Sequence, residues 1–282
     1  MDYEFFLLGA SGFVGGAILK RLVSLKRSLL ILEHKRKVRY PHKVRAPLWR
    51  VPCPAVRSAG TVIHAARLAG STPIKRFLVS LIGMWSNDRL MRCRPEGTIF
   101  LSGSLVYGEG EAVESSPLRP ISFQRHYLLQ ERPLLRAMEG GRRVSIVRPG
   151  WVVGCGSWLR RFYLDVMVRR GFVPLYGYDG AYMSLVNAED VADFVISIAD
   201  REVFGRTFNL ASTVMTRGEF VSMLSDISGM PIRRVDVSGY DTDTAMALTH
   251  SLILRSEQRE VQEFQFSPIR PVIEECFNLL VG

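Results

Sequence analysis

Tyr3-Glu4-Phe5-Phe6-Leu7-Leu8 runs straight into Gly9-Ala10-Ser11-Gly12-Phe13-Val14-Gly15, and Phe13 opens a stretch to Leu25 with apolar residues at helical spacing. The apolar run reads as a buried strand and the stretch after it as a helix. Between them, glycines at GxxGxxG spacing permit a tight turn and let a ligand come close to the backbone. The helix start presents N–H groups that no preceding turn can satisfy, and their partial positive charge favours an anion. Leu29 to Leu32 is a second apolar run, closed by Glu33 and a basic cluster. Strand, glycine turn, helix and strand make a βαβ unit, which requires a parallel sheet.

Downstream, the same rhythm continues after an interruption. Pro41, Pro47, Pro52 and Pro54 break up residues 40–57, leaving room for one short strand at most. Thr61 to His64 reads as a strand, 73–92 as a helix and Thr98 to Ser102 as a strand. Residues 121–139 read as a helix that Pro133 should kink or break. Val144 to Val147 is a further strand, ending at Arg148-Pro149-Gly150. Trp158 to Arg170 is predicted helical, Val186 to Ala199 returns to the αβ rhythm, and 216–228 and 270–280 read as helices of a small lobe. The expected fold is α/β, a Rossmann-type doubly wound parallel sheet with a small C-terminal substrate lobe. The expected division is 1–153 plus about 186–210 for the Rossmann domain, and about 154–185 plus 211–282 for the lobe.

Composition fits that size and class. The chain has 282 residues, 47% of them apolar and 23% charged, enough to bury a core without metals or disulfides. Cys53, Cys93, Cys155 and Cys276 are scattered, with no CxxC pair, and suggest neither a zinc site nor a disulfide framework. The histidines show no metal spacing. The N-terminus lacks the positive region of a secretory signal, and no apolar run reaches membrane-spanning length. These features predict a cytoplasmic protein in a reducing compartment, with no membrane partner. The net charge is +10, and twelve Lys or Arg against the single acid Glu33 lie between Lys20 and Arg57. That stretch can attract an anionic partner or simply be a solvated face. It lacks the interleaved aromatics and the helix-turn-helix pattern of a nucleic-acid reader, so nucleic acid is not the expected partner.

The glycine turn between strand and helix suits the pyrophosphate of a dinucleotide. Glu33, at the end of the second strand, can accept both hydroxyls of an adenine ribose, which favours NAD. His34-Lys35-Arg36-Lys37 follow at once and can hold a 2′-phosphate, which favours NADP. The choice between NAD and NADP stays open, inclining to NAD.

In its ordered motifs the sequence resembles the extended short-chain dehydrogenase/reductase family, which includes nucleotide-sugar epimerases and dehydratases. The likeness covers nearly the whole chain. The GxxGxxG turn is of that type. Thr61-Val62-Ile63-His64-Ala65-Ala66 is similar to its fourth strand, and Leu101-Ser102-Gly103-Ser104-Leu105-Val106-Tyr107-Gly108 to its SSxxVYG segment. Ile146-Val147-Arg148-Pro149-Gly150 with Val152-Val153-Gly154 is similar to its RPxxVYG segment. Val186-Asn187-Ala188-Glu189-Asp190-Val191-Ala192 resembles its HVDDVA segment, and Phe264-Gln265-Phe266-Ser267-Pro268 the element before its last helix. The resemblance implies cofactor contacts from Gly9, Ser11, Gly12, Phe13, Val14, Gly15, Glu33, Ala65, Ala66 and Pro149. It also implies an unidentified small-molecule substrate and pairing of two copies.

The same resemblance fails at the chemistry. The family uses a tyrosine and a lysine in YxxxK, one helical turn apart. Here the last lysine is Lys75. One register puts Phe123 at the tyrosine and Tyr127 at the lysine. A second makes Tyr127 the tyrosine and Glu131 the stand-in for lysine. Gly103 occupies the usual catalytic serine position, flanked by Ser102 and Ser104. Ser80 takes the place of a central asparagine, Met183 that of a diphosphate-binding arginine, and no acid lies between Glu33 and Asp88. The expectation is a dinucleotide-binding protein without the standard catalysis. The alternative is an active NAD(P)-dependent oxidoreductase or epimerase with rearranged groups, with Ser102 and Tyr127 as catalytic candidates and His126 as a further acid. Tyr107, Trp151, Trp158, Arg160 and Arg161 are read as packing or solvated residues.

Overall fold

The computed structural model describes residues 2–68, 70 and 72–281, with the side chain of His126 outside that description. Along the chain come β1 (Tyr3–Leu8), α1 (Phe13–Ser24), β2 (Leu29–Glu33), β3 (Lys43–Arg45), α2 (Cys53–Arg57), β4 (Ala59–His64), α3 (Pro73–Arg92) and β5 (Gly97–Leu101). Next are β6 (Gly110–Ala112), α4 (Gln124–Glu139), β7 (Val144–Pro149), β8 (Trp151–Val153), α5 (Asp165–Arg170), β9 (Val173–Tyr176), β10 (Tyr182–Asn187) and α6 (Ala188–Asp200). The remainder holds β11 (Thr207–Leu210), β12 (Thr213–Thr216), α7 (Arg217–Ser228), β13 (Ile232–Val235), α8 (Thr242–Thr249), β14 (Leu252–Leu254), α9 (Arg259–Gln262) and α10 (Ile269–Val281).

Seven strands form one sheet in the order β11-β7-β5-β4-β1-β2-β3, the doubly wound Rossmann arrangement. β1 pairs in parallel with β2 on one side and β4 on the other, Phe6 facing Leu30 and Val62. The central strands are buried along their length, which is why Phe5 to Leu8 and Leu29 to Leu32 read as unbroken apolar runs. β3 is the one short strand that the proline-rich stretch admits. α3 starts at Thr72, whose hydroxyl accepts from the Lys75 N–H, with Pro73 in the first turn. α4 runs through Pro133 without ending, so of the expected kink or break the break does not occur. Leu134 and Leu135 beside that proline belong to the sheet-side core, so packing offsets the lost backbone bond.

The chain divides into two compact units. The first comprises residues 1–103, 123–148 and 191–208, and the second 104–122, 149–190 and 209–282. The expected division differs in placing 104–122 and the segments around 149–153 and 186–190 with the first unit. The second unit holds its own sheets, β12-β10-β8, β13-β9 and β14-β6, around a core that includes Tyr163, Tyr176 and Phe220. Trp151 and Trp158 pack against that core, their rings 4.7 Å apart. Among the described residues no helix is long and apolar enough to cross a membrane.

The cysteine reading requires correction. Cys53 is bonded to Cys93 within the first unit, and Cys155 to Cys276 within the second. Each bond joins residues far apart in sequence, and such connectivity follows from folding, not spacing. Disulfides persist mainly in oxidising compartments, so the cysteine pattern gives no support to a reducing one.

Candidate functional site

The glycine turn is built as its spacing implies. Gly9 adopts a positive φ of 95°, which a side chain would strain. A Cβ on Gly9 would lie 2.4 Å from the Ala66 nitrogen, and one on Gly15 only 2.0 Å from the Gly9 oxygen. These two glycines are therefore demanded by the packing of α1 and the segment after β4 against the turn. Gly12 differs. It is exposed, and a Cβ there meets only the Gly9 oxygen, at 3.2 Å. Gly12 also precedes α1, where no side chain caps the helix and no acid lies in the first turn. The helix start is thus an uncapped positive end behind an exposed glycine, the arrangement an anionic ligand needs. Ser11 is exposed beside it, while Phe13 and Val14 are half-buried.

Glu33 is placed at the end of β2 as expected, but its carboxylate is occupied. Oε2 accepts from the Val38 N–H and from Lys43 Nζ, both at 3.0 Å, and Oε1 from Arg45 Nε at 2.5 Å. The Val38 N–H and then Lys43 hold its pKa down at about 2, well under the usual carboxylate value. Other cations of the basic stretch are also paired: Arg21 with Asp193, and Arg27 with Glu4 and Asp200. His34, Lys35, Arg36 and Lys37 stay exposed beyond β2.

Ala65 and Ala66 lead from the turn to a small pocket in the same unit, with room for about one water. Arg67, Phe100, Leu101, Ser102, Gln124, Tyr127 and Gln130 line it. Both catalytic candidates, Ser102 and Tyr127, therefore share one cavity. Tyr127 is buried, and its oxygen accepts from the Gly70 N–H at 3.4 Å. The Arg67 guanidinium sits 5.2 Å from the Tyr127 ring centre and 5.3 Å from that of Phe123. Arg67 as a residue is exposed, and desolvation beside these rings lowers its pKa.

Beneath the pocket, Ser102 donates its hydroxyl to Glu131, whose other oxygen is 2.8 Å from Arg148. Both partners of that pair are almost wholly buried. Glu131 follows Tyr127 by one turn of α4, the position at which the second of the two registers puts the lysine. The carboxylate there is spent on Arg148 and Ser102. Arg67, Gln124, Gln130 and the Glu131–Arg148 pair escaped the sequence reading. Arg67 had one signal, its place directly after Ala65-Ala66; the glutamines had none, because glutamine on a helix is ordinarily solvated.

The other singled-out residues are structural. The Tyr107 hydroxyl donates to Asn209 at 2.8 Å, both residues buried. Ser80 is fully buried and bonds the Arg76 carbonyl. Ser267 donates twice to Asp190, tying the start of α10 to that acid. Arg160 pairs with Asp165 and Arg161 lies over the Phe162 ring. Met183 and Pro149 are buried. The His126 side chain lies outside the described residues.

No family model matches the chain, and none of the curated proteins matches it in sequence. Solved structures do match. MoeE5 in complex with UDP-glucose and NAD aligns over 99% of this chain and 100% of its own, at 20% identity and a TM-score of 0.80. UDP-N-acetylglucosamine 4-epimerase from Methanobrevibacter ruminantium aligns over 99% of this chain and 98% of its own, at 15% identity and a TM-score of 0.81. A short-chain dehydrogenase/reductase superfamily protein from Agrobacterium tumefaciens with bound NAD aligns over 98% and 96%, at 17% identity and 0.79. The chain therefore has, from end to end, the fold that nucleotide-sugar epimerases and short-chain dehydrogenase/reductases share.

Proposed function

We propose that the chain binds a nicotinamide dinucleotide, with the pyrophosphate seated on the start of α1. The observation that carries this reading is the uncapped helix end behind Gly12, where a bare backbone leaves room for the anion. Gly9, Ser11, Gly12, Phe13, Val14 and Gly15 would form the cradle. Ala65 and Ala66 would run along the cofactor. That MoeE5 and the Agrobacterium protein were crystallised with NAD supports the same assignment. When bound, the cofactor supplies hydride acceptance or donation.

At the adenine ribose, Glu33 is the residue that would take the hydroxyls. Its oxygens are already engaged by Val38, Lys43 and Arg45, while four basic or imidazole side chains stand exposed just beyond. We infer that the chain takes NADP, whose 2′-phosphate those side chains would neutralise. Titration calorimetry with NAD and NADP tests both points. Binding of neither removes the reading, and Gly12→Ala should weaken whichever binds.

Standard tyrosine–lysine catalysis is absent in this reading, because no lysine follows Lys75 and Glu131, where one register puts it, is bound to Arg148. The alternative is an active oxidoreductase or epimerase with rearranged groups, favoured by the meeting of Ser102 and Tyr127 in one pocket. Turnover followed by cofactor absorbance, and abolished by Tyr127→Phe, would decide for it. We also propose pairing of two copies through α3, whose Ile74, Phe77, Leu78 and Trp85 are exposed apolar side chains.

A further inference from the structure

The basic stretch after β2 carries more charge than a 2′-phosphate needs, and the fold arranges it along one edge of the sheet. β1, β2 and β3 are parallel neighbours, with Leu8 level with Leu32 and Glu33 with Arg45. Their carboxyl ends therefore lie side by side, spanning roughly 10 Å at about 4.8 Å between strands. At the first end stands the uncapped start of α1, behind exposed Ser11 and Gly12. At the second, His34, Lys35, Arg36 and Lys37 are exposed. At the third come Arg45, Trp49 and Arg50, all exposed, Arg45 to 67% even while bonded to Glu33. Along the chain the cations stand without interleaved aromatics, but folding supplies one. The Trp49 ring meets His34 edge-on, with ring centres 5.3 Å apart, and stays 40% exposed. Residues 34–87 contain no acid, so only Glu33 opposes Lys35, Arg36, Lys37, Arg45 and Arg50. That surplus exceeds the roughly two negative charges of one phosphate group. β3 is the outermost strand, so the track is open on that side.

We propose that this edge of the first unit binds single-stranded nucleic acid. Lys35, Arg36, Lys37 and Arg50 meet backbone phosphates and release their counterions. The start of α1 offers its N–H groups to one more phosphate. The exposed face of Trp49 takes a base by stacking, which every base allows. A duplex keeps its base faces stacked inside, and so has none to offer Trp49. An anionic bilayer would need several apolar side chains to insert, and Trp49 is the one large apolar residue exposed within 34–57. The inference does not rest on dinucleotide binding, although both draw on residues 34–37 and the start of α1.

The test is fluorescence anisotropy of labelled oligouridylate and oligodeoxythymidylate titrated with the chain, without dinucleotide, over a range of salt. A duplex of equal length and phosphatidylserine vesicles are the comparison probes. Saturable binding of the single strands is expected, tighter than of the duplex, with a slope of log affinity on log salt of about −2 to −3 for three or four neutralised phosphates. Tryptophan emission should be quenched on binding. Trp49→Ala should remove most of that quenching and weaken binding about fivefold to a hundredfold. Lys35→Glu with Arg36→Glu should weaken it by about tenfold or more, whereas Arg169→Glu with Arg170→Glu, on the exposed end of α5, should not. All four charged positions are exposed, so the far-UV spectra should match the parent. No binding of either strand, equal or tighter binding of duplex or vesicles, or equal losses in the two charge-reversed pairs would each overturn the proposal. Where NADP binds, it should displace the strand, and simultaneous binding would overturn the shared track. NADP binding without strand binding ends this proposal alone, and the converse ends the dinucleotide reading alone.

Discussion

Replacing Glu131 by leucine should destabilise the first unit strongly, and the size follows from its surroundings. The Glu131–Arg148 pair is 2.8 Å apart, with side chains 1% and 3% exposed, and Ser102 donates to the same carboxylate. Leucine keeps much of the volume but takes away the charge that balances Arg148. Removing one partner of a buried pair costs about 3–5 kcal/mol. Unfolding entropy near 2.1 cal/mol/K per residue puts the whole chain at roughly 0.6 kcal/mol/K. The melting temperature should therefore fall by about 5–8 °C, and by more where the first unit unfolds on its own. Circular dichroism melts of parent, Glu131→Leu, Arg148→Met and the double variant measure this. The double variant should recover most of the loss, because both desolvated charges are gone. A Glu131→Leu melt within about 2 °C of the parent would refute the reasoning: the pair would then be neither dry nor intact in solution.

Gly12→Ala should fold with little loss of stability yet weaken dinucleotide binding, whereas Gly15→Ala should lower stability itself, since its Cβ would lie 2.0 Å from the Gly9 oxygen; calorimetry and melts on both variants separate the effects. Burial lowers the His64 pKa to about 4, and that of His250 likewise. Both stay neutral in the folded chain while the unfolded chain takes up protons, so stability is full above pH ~6.5 and is lost as pH falls to about 4. His64→Phe should flatten that slope in pH-dependent melts. Thiol titration of the denatured, unreduced chain should find no free thiols, and reduction should cost about 4–5 kcal/mol per bond by loop entropy. Trp85→Glu should convert a dimer to a monomer in light scattering, and a monomeric parent would remove the pairing proposal.

Sequence alone determined the fold class and the glycine turn. Apolar runs, glycine spacing and helical periodicity are local properties, and a parallel sheet leaves their imprint on consecutive residues such as Phe5 to Gly15. It also exposed the missing lysine, since absence from a chain needs no structure to see. Tertiary structure decided what depends on distant residues meeting. It closed Cys53 on Cys93 and Cys155 on Cys276, filled the Glu33 carboxylate from Lys43 and Arg45, and set Glu131 against Arg148 under Ser102. It carried α4 through Pro133, where packing outweighed one missing hydrogen bond. It also turned Arg67, Gln124 and Gln130 towards one cavity. No local pattern encodes these encounters, because each is set by which strand lies beside which.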